Sequence, residues 1–167
     1  MRLTRAGEYA VRCALYLARK PLGQVVSRQE VASGGNIPPL FLAKIAQDLA
    51  RAGIIEIRQG AKGGFRLLVP PAELTLLAVI EAIIGEIFLN DCVMQPASCA
   101  ASASCAINRV WIKARNQLRD TLREVTFTQL LADESCCILT GDRPCPVAPQ
   151  APATPEAPSR RPPADPA

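Results

Sequence analysis

Apolar residues first recur at three- and four-residue intervals, through Ala10, Val11, Ala14, Leu15, Leu17 and Ala18, with Arg12 and Arg19 on the other side and Thr4 placed to cap the start. That pattern predicts a first helix, ended by Pro21 and Gly23. Ser27-Arg-Gln-Glu30 reads as a capping box opening a short second helix, which Gly34-Gly35-Asn36 stops. Pro38 and Pro39 suit the start of a third helix with Leu42, Ile45 and Leu49 on one face and Gly53 at its end. Beyond Gly53 the period becomes strand-like. Ile54-Ile55-Glu56-Ile57-Arg58 and Phe65-Arg66-Leu67-Leu68-Val69 flank a glycine-rich loop, predicting a β-hairpin closed off by Pro70-Pro71. A fourth helix is expected from about Thr75 to Phe88, burying Leu76, Val79, Ile80, Ile83 and Ile84.

From Asn90 to Cys105 small residues, Pro96 and three cysteines leave too little periodicity for a helix, so a loop is expected. Then Val110, Trp111, Ala114, Leu118, Leu122 and Val125 step along a long amphipathic helix. A near-heptad seam on so long a helix in a small chain suggests a dimerisation contact, with packing on its own domain as the alternative. A short helix covers Thr128 to Ala132. From Arg143 onward lie 9 of the 15 prolines with no apolar pattern, predicting a disordered tail. The fold class expected is mainly α with a small β-hairpin. Three units are expected: a winged helix-turn-helix domain over 1–71, a cysteine loop with its dimerisation helix over 72–135, and a Pro-rich tail over 136–167.

Composition narrows the chemistry. Histidine is absent, which excludes Ser-His-Asp and Cys-His nucleophile pairs and every His-ligated metal site, so an enzyme is not expected. Residues 1–70 carry eleven Lys/Arg against four Asp/Glu, whereas residues 71–167 carry eight against eleven. A basic front of this kind suits a polyanion. The most apolar stretch, Leu74 to Leu89, contains Glu81 and Glu86 and is short for a membrane span, and no segment resembles a secretion signal, so a cytoplasmic protein without membrane contact is expected.

Three helices followed by a hairpin is the order of a winged helix-turn-helix. A helix fits the major groove of double-stranded DNA while a hairpin tip reaches the adjacent backbone or minor groove. The expected DNA contacts are Pro39, Leu40, Phe41 and Lys44 near the start of the third helix, and Arg58, Gln59, Gly60, Lys62 and Gly63 on the wing.

Cys92, Cys99 and Cys105 form C-x6-C-x5-C on one loop of small residues. Soft thiolates this close in sequence can converge on one metal centre. Three thiols without histidine suit structural zinc poorly and an iron–sulfur cluster better, while another metal, a thiol redox switch or incidental buried cysteines stay open. Cys13 is expected to be packed inside the first helix. Cys136, Cys137 and Cys145 border the tail without a clear pattern.

Taken together, Met1-Arg-Leu-Thr-Arg-Ala-Gly-Glu-Tyr-Ala-Val-Arg12, Phe41-Leu42, Leu49-Ala-Arg-Ala-Gly53, Gly60-Ala-Lys-Gly-Gly-Phe65 and the three-cysteine loop resemble the Rrf family of bacterial winged-helix transcriptional regulators, of IscR, NsrR and RirA type. The resemblance runs from Met1 to about Asp133. It implies a homodimer that binds near-palindromic promoter DNA and uses an iron–sulfur cluster, 2Fe–2S or 4Fe–4S, on Cys92, Cys99 and Cys105 to sense iron, nitric oxide or redox state. It also implies Glu8 as a fourth ligand supplied across the dimer. Asn108 stands where IscR-type members carry a ligating histidine, which points to an NsrR-like or RirA-like sensor. Pro38 and Gln59 replace a hydroxyl residue and an arginine common in relatives, so the operator sequence does not carry over. The alternative is a cluster-free winged-helix regulator controlled by thiol oxidation or a protein partner.

Overall fold

The computed structural model describes residues 4–60 and 62–132; the Pro-rich tail and Cys136, Cys137 and Cys145 lie outside the described residues. Thr4 Oγ1 accepts from the Gly7 amide and opens α1, Arg5–Ala18. Its inner face is sealed by Ala10, Cys13, Ala14, Leu15 and Leu17. Short side chains at Ala10 and Ala14 let α3 and α4 pack against the same helix. Ser27 caps α2, Arg28–Gly34, by accepting from the Glu30 amide. The return half of the expected capping box is replaced: the Glu30 carboxylate accepts from Tyr16 Oη at 3.1 Å and from Lys20 Nζ at 2.8 Å instead, tying α2 to the end of α1.

Pro39 occupies the first turn of α3, Pro39–Arg51, where its missing N–H costs nothing. Leu42, Ile45, Ala46 and Leu49 are its buried stripe. Strands β1, Ile55–Arg58, and β2, Gly64–Leu67, pair antiparallel with Ile57 opposite Phe65 and Glu56 opposite Arg66. Val26 adds a one-residue bridge to Phe65 through two backbone hydrogen bonds of 2.8 Å, which pins the wing to the segment before α2.

The fourth helix is shorter than expected. Helix α4 spans Leu76–Ile84 and stops at Gly85, whose φ of +76° only glycine adopts without strain, rather than running to Phe88. Leu77, Val79 and Ile80 are buried, whereas Leu76, Ile83 and Ile84 are half-buried. The expected loop contains one helical turn, α5 at Asp91–Met94, and a 3-10 turn at Pro96–Ser98. Helix α6 then spans Ala106–Glu124, and α7 spans Phe127–Ala132. Leu74, Val79 and Phe127 share one buried cluster with α1, α3 and the hairpin, so α4 and α7 close the bottom of the three-helix core. A second cluster of Leu77, Ile80 and Ile87 receives Leu118 and Leu122 from α6.

Candidate functional site

The expected DNA contacts lie on α3 and the wing. Because Leu42, Ile45 and Leu49 face the core, the opposite side of α3 must carry Leu40, Phe41 and Lys44 outward. Leu40 is 90% exposed, far above what an apolar side chain gains from water. Phe41 is 48% exposed and packs its ring 5.5 Å from that of Tyr9, which fixes its direction. Pro39 and Lys44 are exposed as well. On the wing, Arg58, Gln59, Gly60 and Lys62 are exposed and Gly63 is half-buried. The Gly63 amide donates to the Gly60 carbonyl at 2.9 Å, closing the tip into a tight turn. Glu56 accepts from Arg66 Nε at 2.8 Å and Arg58 Nε at 3.1 Å, so Arg58 is held along the strand at the base of that tip. Those two guanidiniums, Arg66 first, hold the Glu56 carboxyl below its ordinary range.

Two basic-face residues escaped the sequence reading. Arg28 and Gln29, at the start of α2, line a narrow groove with Pro39, Leu42 and Ala43 of α3 and with Phe65. The Arg28 guanidinium lies 5.8 Å from the Phe65 ring centre, so its position follows from packing as well as charge. The capping position of Ser27, which puts Arg28 and Gln29 in the first turn of α2, was the one available signal.

The cysteine loop bridges α4 and α6. Cys92 lies in α5, Cys99 ends the 3-10 turn and is exposed, and Cys105 is the residue preceding α6. Asn108, 6% exposed on the first turns of α6, donates its side-chain amide to the Cys92 carbonyl at 3.1 Å and to Cys92 Sγ at 3.2 Å. This contact joins α5 to α6. Ser102 is 9% exposed and its hydroxyl has no hydrogen-bond partner among the described residues. A buried unpaired hydroxyl of this kind costs about 1–3 kcal/mol. Cys99, Ser102, Asn108 and Arg109 share a cleft of about 530 Å³. Neither Ser102 nor the sulfur contact of Asn108 is visible in spacing, because both depend on how the loop folds back on α6.

Three soft sulfur donors within one loop fit an iron–sulfur centre by chemistry. They are not gathered: among the described residues no three His, Cys, Asp or Glu side chains converge as a metal site. Glu8 is exposed on α1 and lines a different cleft, with Arg5, Arg12 and Asn36, so the structure does not bring it to the thiols of its own chain. Cys13 is fully buried as expected, and burial pushes its thiol up to about 12.

The α4–α6 junction is clamped by charge. Arg119 donates to Glu81 at 3.1 Å and also to Glu86, and Arg115 lies 3.6 Å from Glu86. Glu81 in turn accepts from the Ile87 amide at 3.0 Å, holding the chain just after α4. The side chains of the expected dimerisation seam divide in two. Leu118 and Leu122 pack on the α4 cluster of their own chain, and Ala114 and Val125 are half-buried. Val110 is 62% exposed, Trp111 37%, and Ile107, absent from the expected seam, 64%.

This arrangement defines a winged-helix DNA-binding regulator with a cysteine loop joining α4 to α6. The chain belongs to the Rrf2 family, described as iron-dependent transcriptional regulator, which matches residues 3–133. It is thus a transcriptional regulator of a DNA-binding family and not an enzyme. It is 35% identical over 133 residues to Protein aau3 of Rhizobium meliloti (strain 1021), covering 78% of this chain and 85% of that protein. It is 30% identical over 135 residues to the HTH-type transcriptional regulator NsrR of Halalkalibacterium halodurans, covering 80% and 92%. Among solved structures it resembles the oxidised form of CymR from Staphylococcus aureus, at 29% identity and a TM-score of 0.58, covering 78% of this chain and 96% of that one. No helix among the described residues is long and apolar enough to cross a membrane.

Proposed function

We propose that this regulator acts as a homodimer on double-stranded promoter DNA, with binding set by an iron–sulfur cluster on Cys92, Cys99 and Cys105 and with Glu8 supplied across the dimer as a fourth ligand. The observation that carries the reading is the position of the loop: its ends are α4, which packs on α1 and α3, and α6, which carries the exposed apolar stripe. When bound, a cluster supplies a centre that responds to redox state and small ligands. The protein's part is mechanical. Reordering the loop moves α6 against α4 through the Arg119 clamp, and α4 lies directly on the recognition helix. Half-sites lie about 34 Å apart, one DNA turn, so a small change in the spacing of two recognition helices changes affinity.

Purification without oxygen tests this. Expected are a brown protein with iron and sulfide in stoichiometric amounts, bleaching in air or nitric oxide, and loss of the colour in Cys99→Ala. A colourless chain that resists anaerobic reconstitution would remove the cluster. DNA affinity should fall steeply with salt, and Lys44→Ala or Lys62→Ala should each lower the salt slope by about one.

A second reading, thiol-based control without a cluster, is favoured by the exposure of Cys99 and by the separation of the three thiols. It predicts normal DNA regulation after iron depletion and a response to oxidants that Cys99→Ser abolishes.

A further inference from the structure

The cleft beside Cys99 holds a hydroxyl and a guanidinium that neither DNA binding nor metal ligation uses. Cys99 is exposed and lines it, so a reagent can approach its sulfur from solvent. Ser102, in the same wall, buries a hydroxyl that meets no partner among the described residues. Arg109, at the same cleft, reaches only the Ser104 carbonyl, at 3.5 Å, and pairs with no carboxylate among the described residues. Pro96, Ala97, Ala100 and Ala103, with Asn108 and Ile112, complete a mostly apolar wall around about 530 Å³. A sulfur, an unpaired hydroxyl and an unpaired guanidinium around a small apolar cleft match a ligand carrying sulfur, a short chain and a carboxylate.

We propose that this cleft is a modification site, at which Cys99 takes up one half of a small carboxylate-bearing disulfide. The thiolate of Cys99 attacks one sulfur of the disulfide. The reagent's S–S bond breaks, a new S–S bond forms to Cys99, and the other half leaves as a thiolate that takes the proton Cys99 gave up. Cys99 is oxidised and the reagent is reduced, with no further oxidant. Arg109 and the Ser102 hydroxyl receive the carboxylate of the half that stays. The inference deepens the thiol-based reading: a Cys99 committed to metal has no free sulfur to exchange, so the site operates on the iron-free chain.

The full chain, stripped of iron by a chelator, is exposed to dithiodipropionate or to the neutral bis(hydroxyethyl) disulfide, and the modified cysteine is located by peptide mass mapping. Each pair of rates is expressed as a ratio and divided by the same ratio for the urea-unfolded chain, which removes the intrinsic reactivity of the reagents. The expected result is modification of Cys99 before Cys92 and Cys105, with a preference for the carboxylate reagent of about tenfold. Ser102→Ala and Arg109→Gln should each lower that preference while leaving the neutral reagent's rate unchanged. First modification at Cys92 or Cys105, a ratio equal to that of the unfolded chain, or a preference surviving the double variant would overturn the site. Failure of the functional reading looks different: Cys99 takes the carboxylate reagent as stated and DNA affinity does not move.

Discussion

A methyl group on Gly64 would lie 2.0 Å from the Val26 carbonyl oxygen and 2.7 Å from its carbon. Both atoms belong to the backbone bridge that pins the wing, so neither can yield without breaking the pair of hydrogen bonds between Val26 and Phe65. Gly64→Ala should therefore destabilise the chain by about 1–3 kcal/mol, read as a lower urea midpoint. It should also weaken DNA binding, because Lys62 and Gly63 lie in the loop that leads directly into that strand. Charge at the residue scale gives a second expectation. Glu56 is held below its ordinary range by Arg66 and Arg58, and Glu30 by Lys20 and then Tyr16. A carboxyl whose folded value is depressed stabilises the fold fully above the unfolded carboxylate range and loses that contribution as pH falls through the folded value. Both pairs are solvent-exposed, so the effect is small. Glu56→Gln should flatten the acid decline of the melting temperature between about pH 5 and pH 3, leaving the neutral value little changed.

At the scale of elements, the α4–α6 clamp is the part of the molecule that most directly links the cysteine loop to the core. Arg119 bridges two carboxylates on either side of Gly85, and all three side chains lie partly out of water. Arg119→Ala should cost about 1–3 kcal/mol and, more tellingly, raise amide exchange across α6 and the loop while leaving α1 and α3 protected. Uniform exchange throughout would show that α6 is held by Leu118 and Leu122 alone. This junction also marks where the sequence stopped being readable. Helices α1 to α3 and the hairpin were legible because their periods, caps and breakers agree: Thr4 and Ser27 cap as expected, and Gly53 ends α3 at φ +72°. Helix α4 was overrun because Ile87 and Phe88 keep an apolar pattern beyond Gly85, and the pattern carries no sign that Ile87 packs as a loop residue. The turn of α5 has four residues and no repeat to detect. For the sites, period alone was enough to place Lys44 and the wing tip on the surface, where both lie exposed. The partner of Cys92 was not, since Asn108 lies 16 residues away and is joined to it only by the fold.

At the scale of the whole molecule the open question is what covers α6. Leu118 and Leu122 occupy the α4 cluster, whereas the helix before them presents Ile107 and, three and four residues on, Val110 and Trp111, more than a third exposed in each case. A surface helix whose lower half is packed and whose upper half leaves a contiguous apolar stripe is the geometry of a subunit contact, because the same stripe on a second copy can cover it about a twofold axis. If the dimer forms there, Trp111→Glu or Val110→Glu places a charge in the centre of the seam without touching the buried cores. Either variant should sediment as a monomer at micromolar concentration and keep the wild-type circular dichroism. Promoter affinity should then drop at least tenfold, because one winged helix contacts a single half-site. Asn116→Glu, exposed on the other side of α6, should leave both properties intact and serves as the control. A Trp111→Glu protein that remains dimeric would move the subunit contact off α6. The clamp at Arg119 would then link the cysteine loop to the core of one chain and not to the spacing of two.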